Sequence, residues 1–297
     1  MSLEVLDAGA LTTIQDLGRF GHAHLGVPRA GALDAPAAAL ANRLVGNGRA
    51  AAVLETTLSG LTVRTHRART IAVTGATCEV TVDGRAMAHS EPISVRAGAT
   101  VELGHASAGV RSYLAVAGGI DVRPVLGSRS TDTLAWVGPA RVQDGVWLPV
   151  GTPEGAPAPL DVGVRRTAGR HLRIAPGPRA DWINDSAWRD LDHAAYTVGA
   201  DSNRVGLRLQ GPPLHRARTG ELASEGIVLG AVQLPPSGQL VVFLHDHPVT
   251  GGYPVIGLVD PDDLAICAQL RPGERVELRV QSSSGRGAGP SAGSSTG

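Results

Sequence analysis

The residues best suited to chemistry lie in one short run near the end of the chain, where polar side chains and glycines follow an apolar segment. This run, at residues 245–254, reads HDHPVTGGYP. Asp246 can orient or deprotonate a substrate nitrogen or a water molecule, while hydroxyl and backbone N–H donors can bind a carbonyl oxygen or an oxyanion. The candidate substrate contacts in this run are Thr250, Gly251, Gly252 and Tyr253. The alternative interpretation is a solvated turn in which Asp246 caps the backbone.

A second group of candidates lies upstream in the same half of the chain. Glu225 precedes a glycine and is a candidate general acid or base. Gln233 carries both a donor and an acceptor, so it can hold an amide or a carboxyl group. Arg204, near Asp201 and Ser202, adds a guanidinium that can bind an oxyanion. A glutamate before a glycine is also typical of a surface turn, and for Glu225 that structural interpretation stays open.

The first half of the chain contains a carboxylate beside a guanidinium. Arg19 follows Gln15 and Asp16 at a spacing that fits either a salt bridge within a turn or an anion site. We favour a structural role for Asp16. For Arg19 we expect a mixed role, in which it both fixes the turn and contacts substrate.

A second candidate anion site lies at residues 127–132, which read GSRSTD. Three hydroxyl groups surround one guanidinium here and can cradle a phosphate or a carboxylate, with Ser128 and Arg129 as the candidate contacts. The alternative is a turn in which Asp132 pairs with Arg129.

Metal binding and the familiar nucleophile motifs are not predicted. His245 and His247 would share one face of a strand, but the prolines and glycines that follow interrupt regular strand geometry, so we predict no metal ligand. Residues 1–281 contain no GxSxG or HExxH motif and no cysteine beside a histidine. Cys78 and Cys267 lie in apolar surroundings and are expected to be buried and unreactive.

The composition excludes several classes of partner and cofactor. Lys and Arg total 27, as do Asp and Glu, and all 27 basic residues are arginine. Zero net charge disfavours nucleic acid or an acidic membrane as a partner, and no apolar run approaches the ~20 residues of a membrane span. Without lysine the chain has no P-loop lysine for ATP and no attachment site for biotin, so either cofactor would be held by a partner. The N-terminus lacks a secretory pattern, and we expect a cytoplasmic protein.

The elements that must position these residues are mainly β-strands. The 39 glycines and 20 prolines interrupt the chain often, and apolar residues alternate with polar ones between the interruptions. Asp83-Gly84 is a pair suited to a tight hairpin turn. The predicted strands are 78–82, 100–103, 111–116, 240–244 and 275–280. The predicted helices are one capped by Asp34, one capped by Asp260 and one over 181–191.

Three segments repeat in the same order in the two halves of the chain. Asp16–Gly21 matches Asp201–Gly206, Glu55–Gly60 matches Glu225–Gly230, and Arg96–Leu103 matches Arg271–Leu278. These collinear repeats predict an internal duplication of one barrel-like unit, with a single large β-sandwich as the alternative. The predicted division is a domain at 1–150, a linker at 151–166, a domain at 167–281 and a disordered tail at 282–297.

Five separated motifs share their order with a known family. They are LTTIQDLGR at 11–19, GVP at 26–28, GGI at 118–120 followed by GSRST at 127–131, SEG at 224–226 and TGGYP at 250–254. Together they resemble the motif series of the allophanate hydrolase subunit 2 family of biotin-dependent carboxyltransferase proteins, from about residue 3 to residue 280. The resemblance implies two cyclophilin-like β-barrel domains, in agreement with the repeats.

The resemblance also implies a function. It suggests one component of an ATP-dependent 5-oxoprolinase, an amide hydrolase that opens 5-oxoproline to glutamate, with a small amide or carboxylate as substrate. It implies two partners, the family's subunit 1 (the B-type subunit of that enzyme) and an ATP-using A-type subunit. Asp246 and Glu225 would transfer protons, and Arg204 and Gln233 would hold the oxyanion. The alternatives are the carboxyltransferase part of a urea carboxylase, and a non-catalytic regulator that binds a kinase inhibitor.

Three positions depart from the family pattern. Pro248-Val249 stands where the family usually has Gln-Thr, which removes two polar contacts beside Asp246. Asn203 stands where an aspartate is common, and Ala30 where a serine is common. These changes bear on the substrate more than on the fold.

Overall fold

The computed structural model describes residues 2–158 and 170–281, and its regular structure is mainly β. Within these two ranges lie three short α-helices. The predicted mainly β class with few helices is therefore confirmed. The predicted linker at 151–166 lies partly outside the described residues, and the predicted tail at 282–297 lies wholly outside them.

The strands of the first half form two sheets around one apolar core. These strands are β1 (Ser2–Asp7), β2 (Thr12–Gln15), β3 (Val53–Thr57), β4 (Leu61–Thr65), β5 (Arg69–Thr77), β6 (Val80–Val82), β7 (Arg85–Ala86), β8 (Ile93–Val95), β9 (Thr100–Leu103), β10 (Ala108–Val116) and β11 (Trp147–Pro149). One sheet has the order β11-β1-β4-β9-β6-β7 and the other the order β2-β3-β10-β5-β8. The predicted hairpin turn joins β6 to β7, where Asp83 and Gly84 have φ angles of 50° and 76°.

The second half is a closed barrel. Its strands, with one additional short pair, are β12 (His171–Pro176), β13 (Ala195–Val198), β14 (Gly206–Gln210), β15 (Glu225–Gly226), β16 (Ala231–Gln233), β17 (Leu240–Phe243), β18 (Thr250–Gly251), β19 (Val255–Val259) and β20 (Arg275–Val280). The barrel order is β12-β19-β16-β17-β14-β13-β20, closed by parallel pairing of β20 with β12. Strands β15 and β18 form a separate two-stranded sheet.

Helix α1 (Ala35–Leu44) begins where the sequence predicts. The Asp34 side chain accepts a hydrogen bond from the Ala37 N–H at 3.0 Å, which caps the first turn. The helix packs on the five-stranded sheet, because Val53 and Tyr113 face it while their neighbours Leu54 and Leu114 face the core between the sheets. This alternation is the period of two expected for strands covered on both faces.

The two other helices lie in the second half. Helix α2 (Asp185–His193) starts at Asn184, whose side chain accepts from the Ala187 N–H at 2.9 Å. Helix α3 (Leu264–Gln269) follows a 3-10 turn capped by Asp260, as predicted, and buries Cys267 and Ala268. The helix predicted over 181–191 is therefore a 3-10 turn at Ala180–Trp182 followed by α2.

Helix α3 docks on the first half through one amide. The bulge in β10 frees the N–H groups of Val110 and Arg111, and Gln269 Oε1 accepts both, at 2.9 and 3.0 Å. Gln269 Nε2 donates to Asp34 at 2.8 Å and to the Arg111 carbonyl at 3.0 Å. Arg271, just beyond α3, donates to first-half carbonyls between residues 106 and 109. All hydrogen-bonding atoms of the Gln269 amide are thereby used to orient the two halves.

Each sheet draws its strands from one side of residue 160, which matches the predicted order of elements. The exact domain boundaries stay a prediction. So does the internal duplication, because the strands that carry the matching 96–103 and 271–278 segments pair differently: β9 is antiparallel to β4 and β6, whereas β20 is parallel to β12. Among the described residues, the helices are all too short or too polar to cross a membrane.

Candidate functional site

A buried ion triad joins the two halves of the chain. Arg204 donates from Nε to Asp246 Oδ2 at 2.8 Å and from Nη2 to Asp246 Oδ1 at 3.0 Å. Its Nη1 donates to Glu55 of β3, and its Nη2 also donates to the Gly31 carbonyl at 2.8 Å. The three charged side chains are 2% exposed or less. Burial alone would lower the pKa of Arg204, but the carboxylates of Asp246 and Glu55 outweigh it and raise the pKa, so the guanidinium stays charged.

Local turns place the two second-half members of the triad. Asn203 Oδ1 accepts from the N–H groups of Val205 at 2.8 Å and Gly206 at 3.2 Å, which fixes the turn that leads into β14. The N–H of Asp246, beyond the end of β17, donates to the Arg204 carbonyl at 3.1 Å. The side-chain pair is thus reinforced by a backbone bond.

The first half supplies further donors to both carboxylates. Asp246 Oδ2 accepts from the N–H of Thr133 at 2.9 Å and from its hydroxyl at 2.7 Å. Glu55 Oε2 accepts from the Leu33 N–H at 3.0 Å and from the Tyr113 hydroxyl at 2.9 Å. Burial raises the pKa of Tyr113 well above its usual value, so its hydroxyl stays protonated and donates. Hydrogen bonds of this kind are what make buried charges tolerable.

These contacts bear on the roles predicted for Asp246 and Arg204. Asp246 is fully buried, and both of its oxygens already accept hydrogen bonds. Because a general base has to reach the proton that it removes, this geometry makes Asp246 the positioning partner of Arg204. Arg204 in turn donates four bonds, of which the two to Glu55 and to the Gly31 carbonyl hold the halves together. Their predicted parts in proton transfer and oxyanion binding stay predictions.

A second cluster forms around the short β15–β18 sheet. Glu225 of β15 pairs with Gly251 of β18, and Gln233 donates from Nε2 to the Tyr253 carbonyl at 3.2 Å. A Cβ at Gly251 would lie 3.2 Å from Gln233 Nε2, so glycine allows β18 to lie close to this amide. The predicted residues that the structure brings together here are Glu225, Gln233, Thr250, Gly251, Gly252 and Tyr253.

This second cluster is open to solvent, unlike the triad. The Glu225 side chain is 33% exposed and forms an ion pair with Arg179. The hydrogen bond from Arg179 lowers the pKa of Glu225, which keeps the carboxylate ionised at neutral pH. Tyr253 is 48% exposed, and the guanidinium of Arg216 lies 5.6 Å from the centroid of its ring. Both oxygens of Glu225 accept hydrogen bonds from Arg179, and the exposed aromatic ring beside this pair can contact a small polar ligand.

The predicted anion site at 127–132 binds one of the chain's own carboxylates. Asp16 Oδ1 accepts from the hydroxyls of Ser128 and Ser130, both at 2.6 Å, and Asp16 Oδ2 accepts from the Arg129 N–H at 2.6 Å. The structural role expected for Asp16 is therefore the one it has. The substrate contacts predicted for Ser128 and Arg129 stay predictions.

The pairing considered for Arg129 and Asp132 is wrong. Arg129 donates from Nη2 to Asp121 Oδ1 at 2.7 Å instead. Asp132 accepts from the N–H groups of Leu134 at 3.0 Å and Ala135 at 2.8 Å. An aspartate that caps its own turn in this way satisfies the backbone locally and needs no arginine.

Arg19 is 2% exposed, and part of its guanidinium is unpaired. Its Nη2 donates to the Ser130 carbonyl, whereas Nε and Nη1 have no hydrogen-bond partner in the described chain. Burial lowers the pKa of Arg19, partly offset by the charges of Asp132 and Asp16. The two unpaired donors fit the mixed role predicted for Arg19, which stays a prediction.

The histidine pair and the cysteines are buried. In residues 2–158 and 170–281, no group of three or more His, Cys, Asp and Glu is arranged to hold a metal ion. The His245 carbonyl accepts from the Ala30 N–H at 3.0 Å, and burial lowers the pKa of the His245 ring well below its usual value. Both cysteines are buried, as predicted, and burial raises the pKa of Cys267 to about 12, which makes its thiol unreactive.

An open cleft of about 340 Å³ lies elsewhere, along β4 and β9. Its lining includes Asp7, Thr62 and Glu102 and none of the predicted site residues. The predicted residues therefore divide between a buried junction and a surface cluster instead of sharing this cleft.

Sequence reasoning missed two members of the junction. Glu55 stood out only as the counterpart of Glu225 in the repeats. A glutamate inside the apolar strand β3 nevertheless indicates a buried ion pair, because a buried carboxylate needs a partner. Thr133 gave no signal, since its neighbours in sequence do not indicate that Asp246 lies beside it.

Comparison with known proteins identifies relatives along the whole described chain. The family described as carboxyltransferase domain, subdomain A and B, matches residues 25–280. The chain is 39% identical over 284 residues to the C subunit of 5-oxoprolinase from Escherichia coli K12, covering 93% of this chain and 90% of that protein. It is 31% identical over 304 residues to urea amidolyase of Saccharomyces cerevisiae, covering 93% of this chain and 16% of that one.

Solved structures show the same relationship. The crystal structure of TTHA0988 superposes with a TM-score of 0.84 at 37% identity, covering 95% of this chain and 55% of that chain. The Kluyveromyces lactis urea amidolyase superposes with a TM-score of 0.86 at 30% identity, covering 93% and 18%. This chain thus spans about half of TTHA0988 and less than a fifth of the urea amidolyases.

The architecture of this chain is a closed barrel packed on a two-sheet half, with a buried ion triad between the two. This overall fold is shared with these carboxyltransferase structures. The chain belongs to the carboxyltransferase domain family, as its motif series predicts. Within that family it is similar over nearly its full length to the C subunit of 5-oxoprolinase, and to one segment of the longer urea amidolyases.

Proposed function

We propose that this chain is the C subunit of an ATP-dependent 5-oxoprolinase, which hydrolyses the amide bond of 5-oxo-L-proline to give L-glutamate. The observation that carries the proposal is 39% identity to the Escherichia coli C subunit over 93% of this chain and 90% of that protein. The corresponding Haemophilus influenzae protein is 32% identical over 94% and 91%. The alignment covers most of both chains in each comparison, which supports the proposed role.

The composition indicates which functions of the proposed complex belong to partner subunits. Because the chain has no lysine, we assign ATP binding and hydrolysis to a partner, the A-type subunit. A second partner, the B-type subunit, completes the complex, which acts in the cytoplasm. Biotin takes part only where a partner carries it.

The surface cluster supplies the groups that the proposed reaction needs. Water attacks the activated amide carbon and loses a proton to Glu225, the partly exposed carboxylate of this cluster. The Thr250 hydroxyl and the N–H groups of 251–252 hold the carbonyl oxygen as it gains charge, and Gln233 fixes this segment through the Tyr253 carbonyl. The ring carbon–nitrogen bond then breaks, and the nitrogen takes the proton that Glu225 accepted from water, so it becomes the amino group of glutamate.

The buried junction has a positioning role in this proposal. Arg204 and Asp246 fix the backbone from which the 247–253 segment extends, and Glu55 ties that backbone to the first half. Ser128 and Arg129 hold the segment around Asp16, next to the buried Nε and Nη1 donors of Arg19, which have no partner in the described chain.

A carboxyltransferase acting on urea is the second candidate. It is favoured by the match to the carboxyltransferase domain and by the TM-score of 0.86 to urea amidolyase. Such a reaction needs a biotinylated partner, so an avidin blot of the proteins that co-purify with this chain distinguishes the two candidates.

Reconstitution tests the proposal. The chain is combined with the A-type and B-type subunits of the same organism, and ATP hydrolysis and product formation are measured with 5-oxoproline, urea and allophanate. We expect activity with 5-oxoproline and a loss of about 100-fold or more in Glu225→Gln, the range expected for removing a general base. Glu91→Gln, at an exposed first-half position, is the matched control and should be fully active.

The result can also refute the proposal. Assembly without 5-oxoproline-dependent ATP hydrolysis would support a non-catalytic regulator, and activity with urea alone would support the carboxyltransferase. Full activity of Glu225→Gln would remove Glu225 from the mechanism and leave the rest of the proposal in place.

A further inference from the structure

Three arginines around the surface cluster differ in whether they have an acidic partner. Arg179 donates two hydrogen bonds to Glu225, and Arg218 lies 2.5 Å from a carboxylate oxygen of Asp181. Arg216 forms no ion pair with any residue that the structure describes. Its positive charge is therefore not neutralised by a carboxylate of the described chain, unlike that of its two neighbours.

Contacts on three sides hold the Arg216 guanidinium in place. Its Nη2 donates to the Leu234 carbonyl at 2.6 Å. Its central carbon lies 5.7 Å from the centroid of the Trp182 ring and 5.6 Å from that of the Tyr253 ring, a distance at which an aromatic face attracts a cation. The backbone is fixed as well, because the N–H of Ala217 donates to the Trp182 carbonyl at 2.7 Å. A long side chain that is already held loses little freedom when it binds a ligand.

The guanidinium of Arg216 also keeps unused donors. The bond to Leu234 is the one hydrogen bond that it makes within residues 2–158 and 170–281. Its Nε is shielded from solvent and has no partner there, whereas Nη1 is unpaired and can be reached from solvent. A guanidinium presents its N–H groups in a planar fork that binds a carboxylate through two parallel hydrogen bonds. The free part of the fork is therefore suited to a carboxylate.

The end of β16 anchors both Arg216 and the segment that contains Tyr253. Gln233 Nε2 donates to the Tyr253 carbonyl at 3.2 Å, and the N–H of Leu234 donates to the Pro254 carbonyl at 3.0 Å. The carbonyl of the same Leu234 accepts the hydrogen bond from Arg216. Arg216 therefore lies beside the proposed substrate contacts, next to the ring of Tyr253.

The local charge favours an anionic ligand. Because Arg179 pairs with Glu225, the carboxylate of the cluster is neutralised and repels an anion only weakly. Glu221, the acidic residue nearest to Arg216 in sequence, is exposed and forms no ion pair in the described part of the chain. An uncompensated cation beside a binding site favours a small anion over a neutral molecule of the same size.

We propose that Arg216 binds the carboxylate of the substrate and makes the surface cluster selective for small amides that carry a carboxylate, an inference that rests on the proposed function. 5-Oxoproline has this form, so its carboxylate pairs with Arg216 while its ring amide faces Glu225 and the Thr250 hydroxyl. Urea is neutral and gains no such ion pair. Arg216 is thus a specificity-determining residue for the proposed reaction.

Steady-state kinetics of the complex reconstituted with the A-type and B-type subunits test this inference. We measure kcat and KM for 5-oxoproline-dependent ATP hydrolysis in the wild type, Arg216→Met, Arg216→Lys and the control Arg218→Met. Arg218 lies on the same loop, is 58% exposed and is already paired with Asp181. We expect KM to rise by about 10-fold or more in Arg216→Met, as for the loss of hydrogen bonds to a charged group. The rise should exceed any change in kcat and be smaller in Arg216→Lys, and the control should match the wild type.

A neutral analogue separates carboxylate binding from support of the Tyr253 ring. In 5-oxoprolinamide a carboxamide replaces the carboxylate, and its inhibition constant is measured in the wild type and in Arg216→Met. The variant should weaken binding of 5-oxoproline far more than binding of the amide, because the amide forms no ion pair with Arg216. A residue that only supported Tyr253 would affect both compounds equally. Unfolding midpoints of the four forms of the chain confirm that each is folded.

The outcomes distinguish this inference from the proposed function. If the wild-type complex acts on 5-oxoproline and Arg216→Met keeps the wild-type KM, Arg216 does not bind the carboxylate, and the proposed function stands. The same conclusion follows if Arg216→Met weakens both compounds equally, or if the wild type binds the neutral amide as tightly as 5-oxoproline. If the wild-type complex does not act on 5-oxoproline, both the inference and the proposed function are overturned.

Discussion

Replacing Arg204 by methionine should destabilise the protein far more than losing an ordinary arginine. The variant keeps most of the unbranched stem and removes four donated hydrogen bonds, leaving Asp246 buried without a cation and Glu55 with only Arg111, whose Nε lies 3.7 Å from Glu55 Oε1. At about 3 Å and an effective dielectric constant of about 20, each ion pair contributes about 5 kcal/mol before desolvation is subtracted. Removing one member of a buried ion pair typically costs about 3–5 kcal/mol net, and we expect this loss in the free energy of unfolding.

Urea unfolding followed by far-UV circular dichroism measures the effect, with two comparison variants. Arg208→Met removes an ion pair to Asp201 in which both side chains are more than half exposed, and it should cost less than about 1 kcal/mol. The double variant Arg204→Met, Asp246→Asn removes the bidentate pair and leaves Glu55 with Arg111, so it should recover much of the loss. A single variant within about 1 kcal/mol of the wild type, or a double variant no more stable than the single one, would refute the reasoning.

Two further predictions concern the junction. His245 has a pKa lowered by burial from its usual 6.5, so the folded state binds fewer protons than the unfolded state and stability should fall as the pH drops through about 6.5. Unfolding midpoints are compared at pH 5 and 7.5. The difference in midpoint between the two pH values should be smaller in His245→Gln than in the wild type and in the control His24→Gln, which replaces an exposed histidine. Gln269→Leu leaves two bulge N–H groups and Asp34 without their partner, and should cost about 1–3 kcal/mol in urea unfolding. The control Gln143→Leu, at an exposed position, should change the free energy of unfolding little. Equal midpoints for Gln269→Leu and Gln143→Leu would show that the Gln269 amide does not stabilise the junction.

The local elements of this fold could be predicted because their causes are local. Asp34 begins α1 because a side-chain oxygen three residues before an unpaired N–H can cap it wherever the helix lies. Asp83-Gly84 turns the β6–β7 hairpin because both residues tolerate positive φ. Alternation of apolar and polar residues gave β9 and β20 their observed bounds.

Some of the predicted site residues lie together in the structure and others lie apart, and the reason is sequence separation. Glu225 and the 250–253 segment meet through one short strand pair, and family motifs mark both. The catalytic role of Asp246 stays a prediction, and its burial against Arg204 and Thr133 could not be seen from its neighbours in the chain.

The sequence by itself determined the mainly β class, the start of α1, the tight turn, the absence of lysine and the family. Only the tertiary structure decided that Arg204 pairs with Glu55, 149 residues away, and that the amide of Gln269 fills a bulge in β10. Capping and turn preferences act over a few residues, whereas the partner of a buried charge depends on which strands pack together. That packing is settled by the apolar cores of both halves at once, and no single segment encodes it.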